Sequence, residues 1–154
     1  MSTFITTQID IGKYYFKLQD MERSEFHFTK SLEIQENSES YFYLGLIASQ
    51  KNKLSKALQY FYKSTECNHD YGNPCNEIGI ILIKFGWIRD ALYWLKKAVN
   101  SKYNDAPYIS MYNLATIYKA WNRPERALQY IHKALQINPE FELAIQLRKE
   151  LISQ

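Results

Sequence analysis

The residues best able to do chemistry cluster in CNHDYGNPC, where Cys67, His69, Asp70 and Cys75 fall within nine positions. Such a set could in principle hold a zinc ion, since thiolate, imidazole and carboxylate are its usual ligands. The spacing matches none of the common zinc patterns, however, and the two thiols read more simply as small apolar groups, one at a helix end and one in a helix core. The remaining histidines, His27 and His132, stand far from His69 and from any Ser or Cys placed to act as a nucleophile. There is no glycine-rich phosphate loop and no HExxH. The acidic residues are dispersed, so no carboxylate pair suggests acid–base work. No catalytic residue, metal or cofactor is therefore expected, and the chain is read as a non-enzyme.

Two further columns of reactive side chains recur at regular intervals. Lys30, Lys63, Lys97 and Lys133 form one, and His27, Tyr60, Trp94 and Tyr130 the other. A lysine ladder raises the question of nucleic acid, but no base-stacking platform accompanies it and a net charge of +3 does not demand one. The lysines are read as a solvated outer face and the aromatics as packing between successive helices. No nucleic-acid partner is expected. No apolar run of about 18 residues predicts a membrane span, and the opening MSTFITTQID lacks the basic and apolar regions of a signal peptide. A cytoplasmic protein, with both cysteines reduced, is the expectation.

The elements that position these columns emerge from a repeat. A small residue followed twelve positions later by another occurs at Gly12 and Ser24, Gly45 and Ala57, Gly79 and Ala91, and Ala115 and Ala127. The spacing is constant inside each unit, and the slippage falls in the connectors, including the stretch 100–107. Each half of a unit reads as a helix. Met111, Leu114, Ala115 and Tyr118 recur at i, i+3, i+4 and i+7, and Ala127, Leu128, Ile131, Ala134 and Leu135 mark a second stripe. Gly86 and Asn122 suit the left-handed residue that ends a helix, and Pro124 suits the first turn of the next. Asn138 and Pro139 predict an N-cap and first turn for a last helix ending near Ile152.

The anchors Leu114, Ala115, Tyr118, Ala127, Ala134 and Pro139, with Tyr41, Leu44, Gly45, Ala57 and Phe61 two units earlier and Gly79, Ala91 and Ala98 between, resemble the tetratricopeptide repeat. The resemblance implies an all-α, right-handed solenoid of stacked antiparallel helix pairs. It would form a single domain over 1–154, with repeats at about 5–37, 38–71, 72–105 and 108–138 and a capping helix at about 139–152. It also implies that the first helix of each pair lines a concave groove that holds a peptide or helical segment of another protein.

Projection of those first helices places Lys13, Phe16 and Lys17, then Phe42 and Leu46, then Ile80, Ile83 and Lys84, then Tyr112, Thr116 and Lys119 on the groove, with Ile9 and Asn76 beside them. The carboxylate clamp of the chaperone-binding members is missing, because Ile9, Lys13, Leu46, Asn76 and Ile80 occupy its positions. An apolar wall with scattered lysines suits a segment carrying apolar anchors and some acidic residues. The leading expectation is an interaction module or adaptor. A holder of an unstable client, similar to the small chaperones of bacterial secretion systems, and a self-associating scaffold are the alternatives.

Overall fold

The structure is a computed structural model and describes residues 2–153. Among these it is all-α, with helices α1 (Thr3–Lys17), α2 (Met21–Ile34), α3 (Ser38–Gln50), α4 (Leu54–Cys67), α5 (Gly72–Lys84), α6 (Ile88–Asn100), α7 (Pro107–Ala120), α8 (Pro124–Ile137) and α9 (Glu142–Ile152). Two compact units meet at His69–Asp70. The first holds the pairs α1–α2 and α3–α4. The second holds α5–α6, α7–α8 and then α9. Within the first, α3 packs on both α1 and α2; within the second, α7 packs on both α5 and α6, and α9 on both α7 and α8. Within each unit the earlier pair thus stacks on the later one through the first helix of the later one.

The four hairpin turns share one construction. Gln19, Asn52, Gly86 and Asn122 all have positive φ, between 54° and 78°, at the same place in each repeat. In every turn the N–H of that residue reaches back three positions, to Phe16, Ser49, Ile83 and Lys119, and the next N–H reaches back five, to Tyr15, Ala48, Leu82 and Tyr118. Carbonyls that a helix end would leave orphaned are thereby satisfied. Glycine and asparagine enter this conformation readily; glutamine does not, which is why Gln19 carried no turn signal in the sequence.

The small residues of the repeat do not face each other as a pair of equals. The large side chain four positions after the second small residue seats over the first. A Cβ added to Gly79 would lie 2.6 Å from Leu95, and one added to Gly12 would lie 2.9 Å from Phe28; at Gly45 it would run into Phe61. Phe28, Phe61 and Leu95 are themselves fully buried and have nowhere to go. The other member of each pair, Ser24, Ala57 or Ala91, lets the second helix come close enough for this insertion, and all three are fully buried. Where that position is Ser24, its hydroxyl donates to the Gly12 carbonyl at 2.9 Å, so the closest helix contact of the first pair includes a hydrogen bond. Other buried hydroxyls of the first unit are also paired: Ser31 donates to Phe28 O at 2.8 Å, Ser64 to Ser38 O at 2.7 Å and Thr65 to Tyr62 O at 2.7 Å. Among the described residues no buried side-chain nitrogen or oxygen lacks a partner.

In the first unit, Ile5, Ile9, Phe28, Leu44 and Ile47 form a continuous core, with Phe16 and Tyr43 packed against it. In the second, Ala115, Tyr118, Ala127 and Ile131 join Ala144, Leu147 and Leu151. The α9 side chains thus close the apolar end of α7–α8, each buried leucine contributing about 1.5–3 kcal/mol.

Two local expectations are corrected. The last helix begins at Glu142 rather than at Pro139. Asn138 terminates α8 instead of capping α9: its backbone is extended, its side chain accepts from the Glu140 N–H at 3.2 Å, and Phe141 N–H closes a turn onto Asn138 O. The connector before α7 is also more ordered than an insertion-tolerant loop. Gly72 N–H donates to Tyr103 O at 2.7 Å and Tyr103 N–H to Asp70 O at 3.0 Å. Asn104 donates to Ala98 O, and Asn73 bonds both the side chain and the backbone of Asp105. A Cβ on Gly72 would meet Ser101 at 2.8 Å, so glycine is what lets the connector cross there.

Two stability changes of opposite sign follow. Gly45→Ala would gain about 1 kcal/mol in a free helix, but overpacking against Phe61 costs about 1–3 kcal/mol, and its urea midpoint falls below that of the wild type. Gln19→Gly removes a left-handed glutamine and adds up to about 1 kcal/mol of stability, which raises the midpoint. A Gly45→Ala protein more stable than the wild type would contradict the packing described here.

Candidate functional site

The first helix of each pair carries the residues that the sequence places on a binding wall, and the walls of the two units differ. In the first unit, Lys13 and Phe16 lie on α1, half-buried, and Lys17 is exposed at its end. Lys13 forms an ion pair with Glu39 of α3, and Phe16 meets Tyr43 edge-on at 5.2 Å. Phe42 is only 8% exposed, with its ring 5.5 Å from Tyr43 and 5.9 Å from Phe61. Leu46 is half-buried. Ile9, expected on the wall, is instead 2% exposed and belongs to the core. The sequence pattern places it on the right face, but α3 lies close enough to cover it.

In the second unit, Ile80 and Ile83 of α5 are half-buried, and Lys84 is exposed. On α7, Tyr112, Thr116 and Lys119 are half-buried. Tyr112 meets Phe141 edge-on at 5.5 Å, so the residue before the last helix covers part of the wall. Lys119 pairs with Glu150 of α9 at 2.5 Å, and the Thr116 hydroxyl turns back to Asn113 O at 2.7 Å. Leu46, Ile80 and Ile83 are the aliphatic members of the set that stay half-exposed.

The lysines have a local reason for their places. Lys17, Lys84 and Lys119 each sit in the last turn of their helix, where a cation offsets the negative end of the helix dipole. Two of the four wall lysines, Lys13 and Lys119, are already paired with a glutamate from two helices further on. That leaves Lys17 and Lys84 as the exposed cations of these walls.

A polar seam in the second unit joins α5 to α7 and was not anticipated. Asn76 Oδ1 accepts from the Ser110 hydroxyl at 2.9 Å and from Asn113 Nδ2 at 3.2 Å. Its own Nδ2 donates to Glu77 Oε1 at 3.4 Å. Burial pushes the Glu77 carboxyl above the ordinary glutamate range, while the Asn76 hydrogen bond and the positive charge of Lys84 oppose that shift. The signal was present in the sequence. Asn76 occupies the register held by Ile9, Phe42 and Tyr112 in the other repeats, and an amide among apolar residues asks for a partner.

The cysteine cluster has no such organisation. Cys67 is exposed at the end of α4, and Cys75 is buried in α5, where desolvation pushes its thiol up to about 11. Among the described residues no group of three or more His, Cys, Asp or Glu is placed to hold a metal ion. No helix among them is long and apolar enough to cross a membrane.

Two family models, each described as the tetratricopeptide repeat, match this chain, one over residues 5–38 and 38–68 and the other over 108–141. Among solved structures the chain is similar to YrrB, described as a TPR protein with an unusual peptide-binding site, at 23% identity and a TM-score of 0.72. The alignment covers 94% of this chain and 74% of that one. It is similar to pilF of Pseudomonas aeruginosa at 17% identity and a TM-score of 0.86, over 97% of this chain and 68% of that one. PilW, described as a type IV pilus biogenesis factor, aligns at 17% identity with a TM-score of 0.80, over 94% and 66%. At these identities the likeness is one of fold. Among curated proteins, no sequence matches the chain.

The buried carboxyl makes stability depend on pH in a defined sense. Because folding raises the Glu77 pKa, the folded state binds its proton more tightly than the unfolded chain does. Glu77 therefore costs stability as pH rises from the ordinary glutamate range through its folded pKa. Glu77→Gln removes that cost. Its stability relative to the wild type, from urea titrations between pH 4 and 7.5, grows across the interval and then levels off. A difference that shrinks with rising pH would refute the assignment.

Proposed function

The chain belongs to the tetratricopeptide repeat family, and on that premise we propose that it is a protein-interaction module whose first-helix walls hold a peptide or helical segment of a partner protein. The observation that carries this reading is the half-buried aliphatic set Leu46, Ile80 and Ile83. The core needs these residues only in part, and what remains exposed is apolar surface of the kind a peptide anchor covers. YrrB, a TPR protein with a peptide-binding site by its description, supports the same use of the fold.

The reading is refined by what the walls have already spent. Lys13 and Lys119 are engaged with Glu39 and Glu150, and Phe42 is nearly covered. The ligand-facing set in the second unit therefore narrows to Ile80, Ile83 and Lys84 with the open edges of Tyr112 and Thr116. In the first unit it narrows to Leu46 with Lys17 and the open edge of Phe16. This composition asks for aliphatic or aromatic anchors flanked by an acidic residue, in a non-catalytic role in the cytoplasm. A client-holding chaperone would use the same walls with looser sequence demands. Self-association draws on a different feature, exposed aromatics such as Tyr14, Phe26, Trp87 and Tyr93.

Selection from a displayed library of random peptides tests the proposal. Binders enriched in spaced apolar anchors are expected, and Ile80→Glu should weaken a binder of the second unit about tenfold or more, as truncating or charging a central anchor commonly does. The variant's thermal unfolding must match the wild type's. Unchanged affinity in a folded Ile80→Glu protein would remove this residue and its wall from the reading. Selection of sequences without apolar preference would favour a general client holder.

A further inference from the structure

The lysine and aromatic columns converge, in the second unit, on a cleft that the first-helix walls do not use. It encloses about 250 Å³ and is lined by Lys96, Tyr118, Arg126, Gln129, Tyr130 and Lys133. Tyr118 and Tyr130 stack in parallel, with ring centroids 5.6 Å apart and planes within 8°. Arg126 lies over the Tyr118 ring at 5.6 Å and Lys133 over the Tyr130 ring at 5.8 Å. The aromatic pair thus holds two cations in place, and Lys96 of α6 adds a third at the rim.

The first repeat contains a related constellation in a discharged form, with its lysine over a ring outside the stacked pair. Tyr15 and His27 stack at 5.6 Å and 11°, Arg23 lies over Tyr15 at 5.3 Å, and Lys30 lies over Phe26 at 5.6 Å. There, Asp20 sits 3.5 Å from Arg23 and Glu33 sits 2.9 Å from Lys30. The residues in the registers of Asp20 and Glu33 in the fourth repeat are Arg123 and Gln136. Both neutralising carboxylates are gone, and one has become a cation. None of Lys96, Arg126 and Lys133 takes part in an ion pair among the described residues. Glu125, exposed at the start of α8, is the nearest carboxylate in sequence, and it does not line the cleft.

We propose that this cleft is a second binding site, for a run of acidic side chains on a partner polypeptide. Preorganised cations lose little freedom when a carboxylate arrives, and Gln129 offers an amide beside them. Charge complementarity of this kind speeds encounter and selects the partner. Single-stranded nucleic acid fits less well. It needs open aromatic faces for its bases, whereas here Tyr118 is 3% exposed, its ring stacks on Tyr130, and each ring has a cation over it. The site stands on different residues from the first-helix walls and does not depend on how those are used.

Titration of isotopically labelled protein with a hexaglutamate peptide, a hexaglutamine peptide and a uridine hexanucleotide tests the assignment. Hexaglutamate should shift the amides of Gln129, Tyr130 and Lys133 first and most, and hexaglutamine should shift none. Lys96→Gln with Arg126→Gln should weaken hexaglutamate binding about tenfold. Arg23→Gln with Lys30→Gln, the removal of two cations in the first repeat, should leave it unaltered. All four side chains project from helix surfaces, and matching thermal unfolding curves establish that both variants are folded; Lys133→Gln alone serves if either is not. Shifts spread over lysines throughout the chain, equal loss in the two double variants, no hexaglutamate binding, or displacement of hexaglutamate by an equal concentration of the hexanucleotide would each overturn the proposal.

Discussion

Everything in this chain rests on one steric fit, a large side chain of the second helix lying where the first helix has no Cβ. Phe28 over Gly12, Phe61 over Gly45 and Leu95 over Gly79 repeat it three times. The fourth pair has Ala115 with Ile131, both fully buried in one core cluster, so there a Cβ is tolerated beneath an aliphatic side chain. This fit holds each pair at close range. Close range fixes which stripe of each helix is interior, and that in turn decides which residues are left for anything else. The interior is dense, so small changes in volume at these positions are felt directly.

The pair geometry also explains why the turns are so uniform. Two helices locked through a contact sixteen residues apart in sequence leave the intervening chain little choice. All four turns adopt the same left-handed residue and the same two reach-back hydrogen bonds, whether the residue is glycine, asparagine or glutamine. Tertiary packing has overridden local preference at Gln19. That is the usual outcome when a weak backbone cost meets a large burial term.

What could be read from the sequence follows this division. Helix number, pairing and the small-residue anchors were legible because they depend on periodicity and on volume, both of which are properties of residue type. The Gln19 turn was not, because its conformation is imposed by its neighbours. The start of α9 was misplaced because Asn138 and Pro139 carry an N-terminal signature that the extended end of α8 uses differently. On the walls, the faces were legible and the accounts were not. Lys13 and Lys119 look like free cations in one dimension, and their partners Glu39 and Glu150 come from two helices further on. The need of Asn76 for a partner was legible, but the partners Ser110 and Asn113 were not, since a polar contact spanning one repeat has no local pattern.

The same reasoning says where a repeat protein of this kind is free to acquire specificity. Positions in the pair contact cannot change without unpacking it, so differences between repeats must accumulate outside it. The first and fourth repeats retain a stacked aromatic pair with an arginine over it. They differ at Asp20 against Arg123 and at Glu33 against Gln136; Asp20 also caps α2 through the Arg23 N–H, and Arg123 makes no such bond. A framework set by burial has thus been kept while its charge was altered, at the cost of two exposed ion pairs and one N-cap hydrogen bond. Electrostatic character is therefore the property that these repeats can vary most cheaply, and it is there, rather than in the helices themselves, that one copy of the motif becomes distinct from another.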